Sequence, residues 1–333
     1  RRETALTYYQ GHFQSLTVKS RRYFPVIALG YSWSLWGKPR ELISQILSLS
    51  EFKINWSAAL SIKTRKKTFI LCLGHQRCGT TWLYKHLAQS DHFAGGALKE
   101  YHIWDALDIE LLNEHRLVSP PQDKEHSDYL RYQMQEDANF YFDYFASLLD
   151  EEKTITADIT PSYSALSVDR IKNIQKGFAL RNIEVRAVLV LRNPIDRIKS
   201  ATSFNMNRKN FNEGIPPSAT TFEEALKNYY QTEHCEIRTN YERSVKNAQK
   251  ALGSRNVYVA IYETMFSSEH IDKISKFFGV YPFKKRKEDK INRTTRETEK
   301  TSELDRRIMK RFQSTYDYCF EVFPKTKTLW KYD

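Results

Sequence analysis

The sequence has few of the residues that build metal centres, disulfide frameworks or membrane spans. Four of its 333 residues are cysteines, their spacing matches no zinc site, and no disulfide framework is implied. The most apolar early stretch, YFPVIALGYSWSLWG (residues 23–37), is shorter than the roughly 20 residues that cross a bilayer and is interrupted by proline, glycine and serine. These absences argue against a cysteine-based metal site, a disulfide-stabilised domain and a membrane span in this sequence.

Acidic residues are also fewer than basic ones. Lys and Arg total 52 against 40 Asp and Glu, which gives a formal net charge of +12. Such a surplus suits an anionic partner, although a basic surface also occurs in ordinary soluble proteins. Charge alone therefore does not separate a nucleic acid, a polyanionic sugar and a nucleotide.

Three apolar runs predict buried β-strands that alternate with helices. They are TFILCLG (68–74), EVRAVLVLR (184–192) and NVYVAIYE (256–263), and their apolar character is typical of strands covered on both faces. A helical pattern, WLYKHLAQ, follows the first run. Strands that alternate with helices favour an α/β fold with a parallel β-sheet flanked by helices.

The composition and the residue pattern of the chain change near residue 66. Residues 1–66 are aromatic and basic, contain a helical pattern at PRELISQILSLS, and are interpreted as an N-terminal extension or small subdomain of unknown role. Residues 67–333 are interpreted as the α/β domain. Near its end the polar segment 282–303 is expected to form a loop, and one final helix is expected around ELDRRIMKRFQSTYDYCFEVF.

The first strand is followed by a loop that runs from Gly74 to Gly79. A Gly-rich turn between a buried strand and a helix directs backbone N–H groups at one point and thereby binds phosphate. The loop lacks the lysine of the nucleotide-binding pattern G-x-x-x-x-G-K-[ST], because Thr80 stands in its place, and Arg77 supplies a cation inside the loop instead. The alternative is a turn that only connects strand to helix.

The sequence also lacks an acidic residue at the end of the strand VLVLRNP. Magnesium-dependent phosphoryl transfer uses a carboxylate at the end of a neighbouring strand, whereas VLVLRNP ends its strand with Arg192. No metal is therefore expected. A cationic loop with hydroxyls suits a nucleotide whose transferred group carries less charge than a γ-phosphate.

Four segments in order resemble a known enzyme family. They are GHQRCGTTWL (74–83), KEYHIWD (99–105), DITPSY (158–163) and RNPIDRIKSATSF (192–204). Together they resemble the sulfotransferases that use 3′-phosphoadenosine-5′-phosphosulfate (PAPS), and the KE and TPSY elements are most similar to the glycan-modifying branch, which includes the heparan sulfate enzymes and bacterial relatives. The resemblance implies a P-loop-type parallel β-sheet over roughly residues 68–320.

The resemblance implies a set of donor-binding residues. The 5′-phosphosulfate would contact the loop and the start of its helix, at Arg77, Cys78, Gly79, Thr80, Thr81 and Trp82. The 3′-phosphate would be bound by Arg192 and Ser200, a strand-end arginine and a helix-borne hydroxyl. A late loop would add Arg293 and Thr294, although this sequence lacks the Gly-rich late loop of many members. Many members also have lysine where Arg77 stands, and arginine does not easily donate a proton.

The KE segment provides the candidate catalytic groups. Sulfuryl transfer requires removal of the acceptor's proton and stabilisation of charge on the bridging oxygen. In an extended segment Glu100 and His102 would point to one side and Lys99 to the other, so the first two are the candidate bases. The resemblance favours Glu100, with Lys99 and Arg77 completing the catalytic set. Taken alone, a Lys-Glu pair is usually a solvated surface pair.

The TPSY element is expected to line the site where donor and acceptor meet. The resemblance implies that Thr160, Ser162 and Tyr163 bind substrate there. The expected partners are the nucleotide donor, with 3′-phosphoadenosine-5′-phosphate (PAP) as its product, and a hydroxyl-bearing acceptor, best a glycan. No nucleic acid and no membrane span are expected.

The sequence alone leaves two rival interpretations of the function and two locations open. One rival is a P-loop nucleotide kinase-like enzyme, and the other is a non-enzymatic polyanion-binding protein, suggested by the net charge and by PFKKRK (282–287). A cytoplasmic location is expected, since a glycan on the sequon at Asn292 would obstruct the late donor loop. The alternative is the Golgi lumen, with an N-terminal anchor removed.

Overall fold

The computed structural model describes two stretches of the chain, residues 66–280 and 302–331. The helix expected at PRELISQILSLS and most of the polar segment 282–303 lie outside the described residues. The extension 1–66 also lies outside them apart from its last residue. The division between residues 66 and 67 therefore stays a prediction.

In the described ranges five strands form one parallel sheet with β1 at its centre. The strands are β1 (Thr68–Cys72), β2 (Phe93–Ala94), β3 (Ile155–Asp158), β4 (Glu184–Leu191) and β5 (Val257–Ile261). Their order is β2-β3-β1-β4-β5, and every neighbouring pair is parallel. The predicted α/β, P-loop-type fold is confirmed. The carboxyl ends of β3, β1 and β4 lie side by side, which is where open α/β sheets bind ligands.

Helices cover the sheet and connect its strands. Those in the described ranges are α1 (Thr80–Leu87), α2 (Trp104–Asp108), α3 (Ser127–Glu136), α4 (Ala138–Ser147), α5 (Val168–Ala179), α6 (Pro194–Arg208), α7 (Phe222–Tyr229), α8 (Glu233–Ile237), α9 (Tyr241–Leu252), α10 (Ser268–Phe278), α11 (Glu303–Arg311), α12 (Gln313–Val322) and α13 (Thr326–Leu329). Short 3₁₀ turns span Glu110–His115, Pro161–Ala165 and Ser254–Asn256. Within this described part, no helix combines the length and apolarity needed to cross a membrane.

The central strand shows why both faces of the sheet need helices. All five residues of β1 are buried, with Phe69 and Leu71 in one core cluster and Ile70 and Cys72 in another. This alternation follows from the two-residue period of a strand. Residues of α4, α5 and α9 complete the first cluster, and residues of α1 and α10 complete the second. Each large apolar side chain buried there contributes about 1.5–3 kcal/mol.

The carboxyl-terminal helical pattern forms two helices where the sequence predicts one. Phe312 separates α11 from α12, with φ −103° and ψ 25°, and its ring is buried in the first core cluster. Tyr316 and Cys319 of α12 belong to the same core cluster. The single-helix prediction is therefore wrong at Phe312.

Candidate active site

The loop between β1 and α1 (residues 73–79) presents backbone N–H groups at the middle of the sheet edge. Arg77 adopts φ +65°, while Gly74 and Gly79 adopt φ +104° and +86°. Among the described residues, the N–H groups of Gln76, Arg77 and Gly79 have no backbone partner. Together with the amino end of α1, such groups form an anion-binding concavity.

Space as well as conformation restricts the two bracketing glycines, most severely Gly74. A Cβ added to Gly74 would lie 2.7 Å from Ser164 Cβ, a distance that real Cβ atoms do not reach. A Cβ on Gly79 would lie 3.2 Å from Met265 Cε and from the ring of Tyr262. The spacing of the glycines in the sequence therefore reflects a loop pressed closely against its neighbours.

Two arginines and a serine meet beside this loop. Arg77 Nε donates to Ser200 Oγ at 3.2 Å, and Arg192 Nη1 donates to the carbonyl oxygen of Arg77 at 3.0 Å. The guanidinium of Arg77 lies 4.5 Å from the ring centre of Phe204, and that of Arg192 lies 4.6 Å from the ring centre of Tyr262. Groups predicted from two separate segments of the sequence are thus brought into one place.

The charge of this cluster is not balanced by nearby acid. In residues 66–280 and 302–331, no carboxylate forms an ion pair with Arg77 or Arg192. Burial, and then the charge of Arg192, lowers the pKa of Arg77 below its ordinary value. The two neighbouring guanidiniums, the hydroxyl of Ser200 and the backbone N–H groups of the loop together suit an oxyanion that carries more than one charge.

The position of Arg192 is set by the start of α6. Asn193 caps that helix, accepting from Ile195 N at 3.1 Å and from Tyr316 OH at 2.8 Å. The carbonyl oxygen of Arg192 accepts from Tyr241 OH at 2.9 Å. With its backbone held on both sides, Arg192 projects from the end of β4 toward the loop, and Ser200 faces the loop from α6.

The KE segment (residues 99–103) carries a chain of alternating charges on the other side of the loop. Lys99 Nζ contacts Glu100 Oε1, and the second carboxylate oxygen of Glu100 lies 3.5 Å from His102 Nε2. His102 Nδ1 lies 2.7 Å from Oδ2 of Asp105, which is fully buried in the first turn of α2. Glu100 is therefore flanked by two cations and His102 by two anions.

This arrangement corrects the extended geometry expected from the sequence, in which Lys99 points away from Glu100. His102 adopts φ +56°, and residues 99–103 belong to no helix or strand. Side chains alternate only along regular extended backbone. Lys99 and His102 consequently both reach Glu100.

The contacts determine the protonation states of the two candidate bases. Burial would lower the pKa of His102, but its hydrogen bonds to Asp105 and Glu100 outweigh burial and raise the pKa to about 9. Burial would raise the pKa of Glu100, but His102 and Lys99 lower the pKa to about 2. At neutral pH, therefore, His102 is an imidazolium and Glu100 is the unprotonated member of the pair.

The same pKa shifts make the stability of this charge chain depend on pH. Because the pKa of His102 is raised on folding, its contribution is complete below about pH 6.5 and is lost as the pH rises through about 9. Because the pKa of Glu100 is lowered, its contribution is complete above about pH 4.5 and is lost as the pH falls through about 2. Both contributions to stability are therefore complete between about pH 4.5 and pH 6.5.

Replacing Asp105 by Asn should lower the pKa of His102 by about one unit or more, because an amide does not stabilise the imidazolium charge. A pH titration of the imidazole resonances by NMR measures this, with His102→Gln identifying the signal. An unchanged pKa in Asp105→Asn would show that Asp105 does not hold the charge on His102.

Thr160 and Tyr163 support the KE segment from the carboxyl end of β3. Thr160 Oγ1 accepts from Tyr101 N at 2.9 Å, and Tyr163 OH accepts from Ile103 N at 3.1 Å. The same two hydroxyls donate to Asp158 at 2.5 and 2.9 Å. The carboxylate that ends β3 thus orients two hydroxyls, and these hold the backbone of the KE segment.

This role differs from the substrate contacts expected for the TPSY element. Thr160, Ser162 and Tyr163 are all buried. A hydroxyl that donates to a carboxylate and accepts from an amide has no donor left for a ligand. Thr160 and Tyr163 thus support the KE segment, and the substrate contacts expected for these two residues and for Ser162 stay a prediction.

The remaining predicted donor residues lie on the loop or on the first turn of α1. The N–H of Cys78 donates to a carbonyl of the loop, and burial raises the pKa of its thiol to about 12, so its side chain serves packing. Thr80 and Thr81 begin α1, and Trp82 stacks on the histidine one turn later. Arg293 and Thr294 lie outside the described residues.

Asp158 is an acidic residue that the sequence-based argument about magnesium overlooks, because it ends the other strand beside β1. Burial raises the pKa of Asp158 to about 6, and its oxygens accept from Thr160, Tyr163 and Tyr141. Among the described residues, no group of three or more His, Cys, Asp or Glu could hold a metal ion.

The chain is similar to known sulfotransferases, both in its sequence pattern and in its fold. The model of the sulfotransferase domain family matches residues 67–317, whereas the chain has no significant match among curated protein sequences. Similar solved structures include a sulfotransferase from Alicyclobacillus acidocaldarius, at 17% identity over 80% of this chain and 96% of that chain, with a TM-score of 0.49. A second is the sulfotransferase domain of the Synechococcus PCC 7002 olefin synthase, at 17% identity over 64% and 73%, with a TM-score of 0.40.

A third similar structure is mouse sulfotransferase SULT7A1 complexed with PAP, at 15% identity over 66% of this chain and 60% of that chain, with a TM-score of 0.34. These structural likenesses are too distant to carry the assignment, which rests on the family model. Because that model spans residues 67–317 of the 333, the protein belongs to the sulfotransferase domain family.

Proposed function

We propose that the protein transfers the sulfuryl group of PAPS to a hydroxyl, or an amine, of an acceptor. The acceptor class that we favour is a carbohydrate. The observation that carries this proposal is the meeting of Arg77, Arg192 and Ser200 beside the loop. The cluster offers cations, a hydroxyl and backbone N–H groups to an anion of several charges. A kinase-like enzyme would instead have a lysine at the position of Thr80.

The two phosphorylated ends of the donor fit two parts of this cluster. The loop N–H groups and Arg77 would bind the 5′-phosphosulfate, as a Gly-rich loop binds phosphate. Arg192 and Ser200 would bind the 3′-phosphate by charge-assisted hydrogen bonds. A nucleotide without a 3′-phosphate would leave Arg192 without its anion.

The transfer itself is a single in-line displacement. The acceptor oxygen forms a bond to sulfur while the bond from sulfur to the bridging phosphate oxygen breaks, so PAP leaves with that bond's electron pair. Glu100 accepts the acceptor's proton. A weakly basic carboxylate suffices because the proton becomes acidic as the new bond forms, and the cations of Lys99 and Arg77 stabilise the charge that develops on the bridging oxygen.

The acceptor class and the location are supported by the sequence alone. The carbohydrate acceptor follows from the likeness of the KE and TPSY elements to glycan-modifying sulfotransferases. The cytoplasmic location follows from the sequon at Asn292, which lies in the proposed late donor loop, where a glycan would block the nucleotide.

PAP should raise the melting temperature by roughly 5 °C or more at about 100 times its Kd, because a ligand bound only by the folded state stabilises it. AMP, which differs from PAP only in lacking the 3′-phosphate, is the matched control and should shift the melting temperature far less, as should ATP with Mg²⁺. Differential scanning fluorimetry measures these shifts. Equal or greater stabilisation by ATP would overturn the proposed donor.

A further inference from the structure

The KE segment needs support from outside, because it has no secondary structure of its own. Residues 99–103 belong to no helix or strand, and His102 has a positive φ. A non-glycine residue keeps such a conformation only where its surroundings enforce it. Thr160 and Tyr163 hold the N–H groups on one side, which leaves the carbonyl groups on the other side to be accounted for.

Arg131 on α3 holds two of these carbonyl groups. Its Nε donates to the carbonyl oxygen of Tyr101 at 3.0 Å, and its Nη2 donates to that of Glu100 at 3.0 Å. The third nitrogen, Nη1, is anchored on Asp128 at 2.6 Å. A guanidinium can bind two successive carbonyls in this way because its donors form a rigid fork.

Gln135, one turn later on the same face of α3, holds the next carbonyl group. Its Nε2 donates to the carbonyl oxygen of His102 at 3.1 Å and to that of His115 at 2.9 Å. Its Oε1 accepts from Leu117 N at 2.9 Å, and the side chain is buried. His115 in turn stacks on His102 with 3.8 Å between ring centres. One amide thus fixes both histidines relative to each other.

We propose that Arg131 and Gln135 are positioning residues, which hold the carbonyl side of the KE segment so that Glu100 keeps its catalytic geometry. The inference rests on the proposed role of Glu100 as the base. Three consecutive carbonyl groups, those of Glu100, Tyr101 and His102, are bound by two side chains spaced i and i+4 on one helix, which therefore acts as a clamp. Neither residue lies in a segment that resembles the family's motifs.

The test uses two substitutions that preserve charge. Arg131→Lys keeps the cation but loses the fork, and Gln135→Met keeps the shape of a neutral side chain but loses all three hydrogen bonds. The charged and titratable groups near His102 are Glu100, Asp105, His115 and the guanidinium of Arg131. Since Arg131→Lys keeps the positive charge and Gln135→Met changes none of these groups, a shift in the pKa of His102 reports their geometry.

Both variants should lower the pKa of His102, measured by NMR titration, by about one unit or more. They should also slow the release of PAP from PAPS by about 10-fold or more while leaving the affinity for PAP, measured by calorimetry, unchanged. Arg181→Lys is the matched control: Arg181 also donates to a carboxylate, Asp143 at 2.6 Å, and to a carbonyl oxygen, that of Gly177 at 2.9 Å, away from the KE segment. It should leave all three quantities unchanged.

The inference is overturned if Arg131→Lys leaves both the pKa of His102 and the rate of PAP release as in the wild type. It is also overturned if PAP affinity falls in step with the rate, since that indicates a general loss of structure. If Gln135→Met does not fold, Arg131→Lys decides alone. A wild-type protein that binds no PAP would refute the proposed function, whereas the titration of His102 would still decide whether α3 holds the segment.

Discussion

Replacing Glu100 by Gln should reduce turnover by roughly 100-fold or more and change donor affinity little. Glutamine preserves the shape and much of the hydrogen bonding of Glu100, but it does not accept the acceptor's proton. The expected split between rate and affinity has its basis in the contacts, because Glu100 contacts Lys99 and His102, whereas Arg77 and Arg192, which we propose bind the donor, contact Ser200 and the loop. Rates of PAP formation and calorimetry with PAP measure the two quantities.

The comparison with His102→Ala identifies the base. His102 is protonated at neutral pH because its pKa is raised to about 9, so its loss should cost less than the loss of the carboxylate. The opposite ranking, with near-normal turnover in Glu100→Gln and none in His102→Ala, would assign the proton transfer to the histidine. The likeness to the glycan branch would then mislead at its central residue.

Replacing Arg192 by Ala should weaken the binding of PAP by about 1.5–3 kcal/mol, or roughly 10- to 150-fold. The substitution removes a guanidinium from a site where no described carboxylate competes for it, so the whole charge is available to the 3′-phosphate. Affinity for ADP, which has no 3′-phosphate, should change much less. Calorimetry with both nucleotides measures the difference.

Arg170→Ala is the matched control for Arg192→Ala. Arg170 also lies over an aromatic ring, 4.7 Å from the ring centre of Trp104, but its charge is paired with Asp108 at 2.6 Å. Its loss should leave the affinity for PAP unchanged. If Arg192→Ala binds PAP as the wild type does, Arg192 has a structural role and the 3′-phosphate lies elsewhere.

The parts of the site that sequence reasoning predicted are those marked by residue type at fixed spacing. Gly74 and Gly79 are visible because few other residues fit their conformation, and Arg192 is visible because it ends an apolar run just before a helix-starting proline. The sheet order then brings Arg77 to Ser200, 123 residues apart. Parallel strands place such loops together whenever the order of the strands is right.

The parts that sequence reasoning missed depend on backbone contacts or on local conformation. Arg131 and Gln135 bind carbonyl groups, which every residue possesses, so their targets leave no trace in the sequence. The irregular backbone of residues 99–103, with a positive φ at His102, is equally invisible, and along it Lys99 contacts Glu100 instead of pointing away. Asp105 did carry a signal, since it stands three residues after His102, a spacing at which two side chains contact each other across one turn.

The proposed site and the two rival interpretations differ in the contacts and in the chemical reaction that they require. A polyanion-binding protein would need positive charge on its surface but no chain of contacts like that from Glu100 through His102 to the buried Asp105. A kinase-like enzyme would transfer phosphoryl groups from ATP with Mg²⁺. The chemical group that appears on an acceptor therefore separates all three.

Mass spectrometry of a library of hydroxyl-bearing carbohydrates incubated with the protein and PAPS is the decisive experiment for sulfuryl transfer. We expect an acceptor to gain a sulfuryl group, PAP to form in equal amount, and both to fall by roughly 100-fold or more in Glu100→Gln. Transfer of a phosphoryl group from ATP, or binding of PAPS and acceptors with no sulfated product formed, would contradict the proposed function.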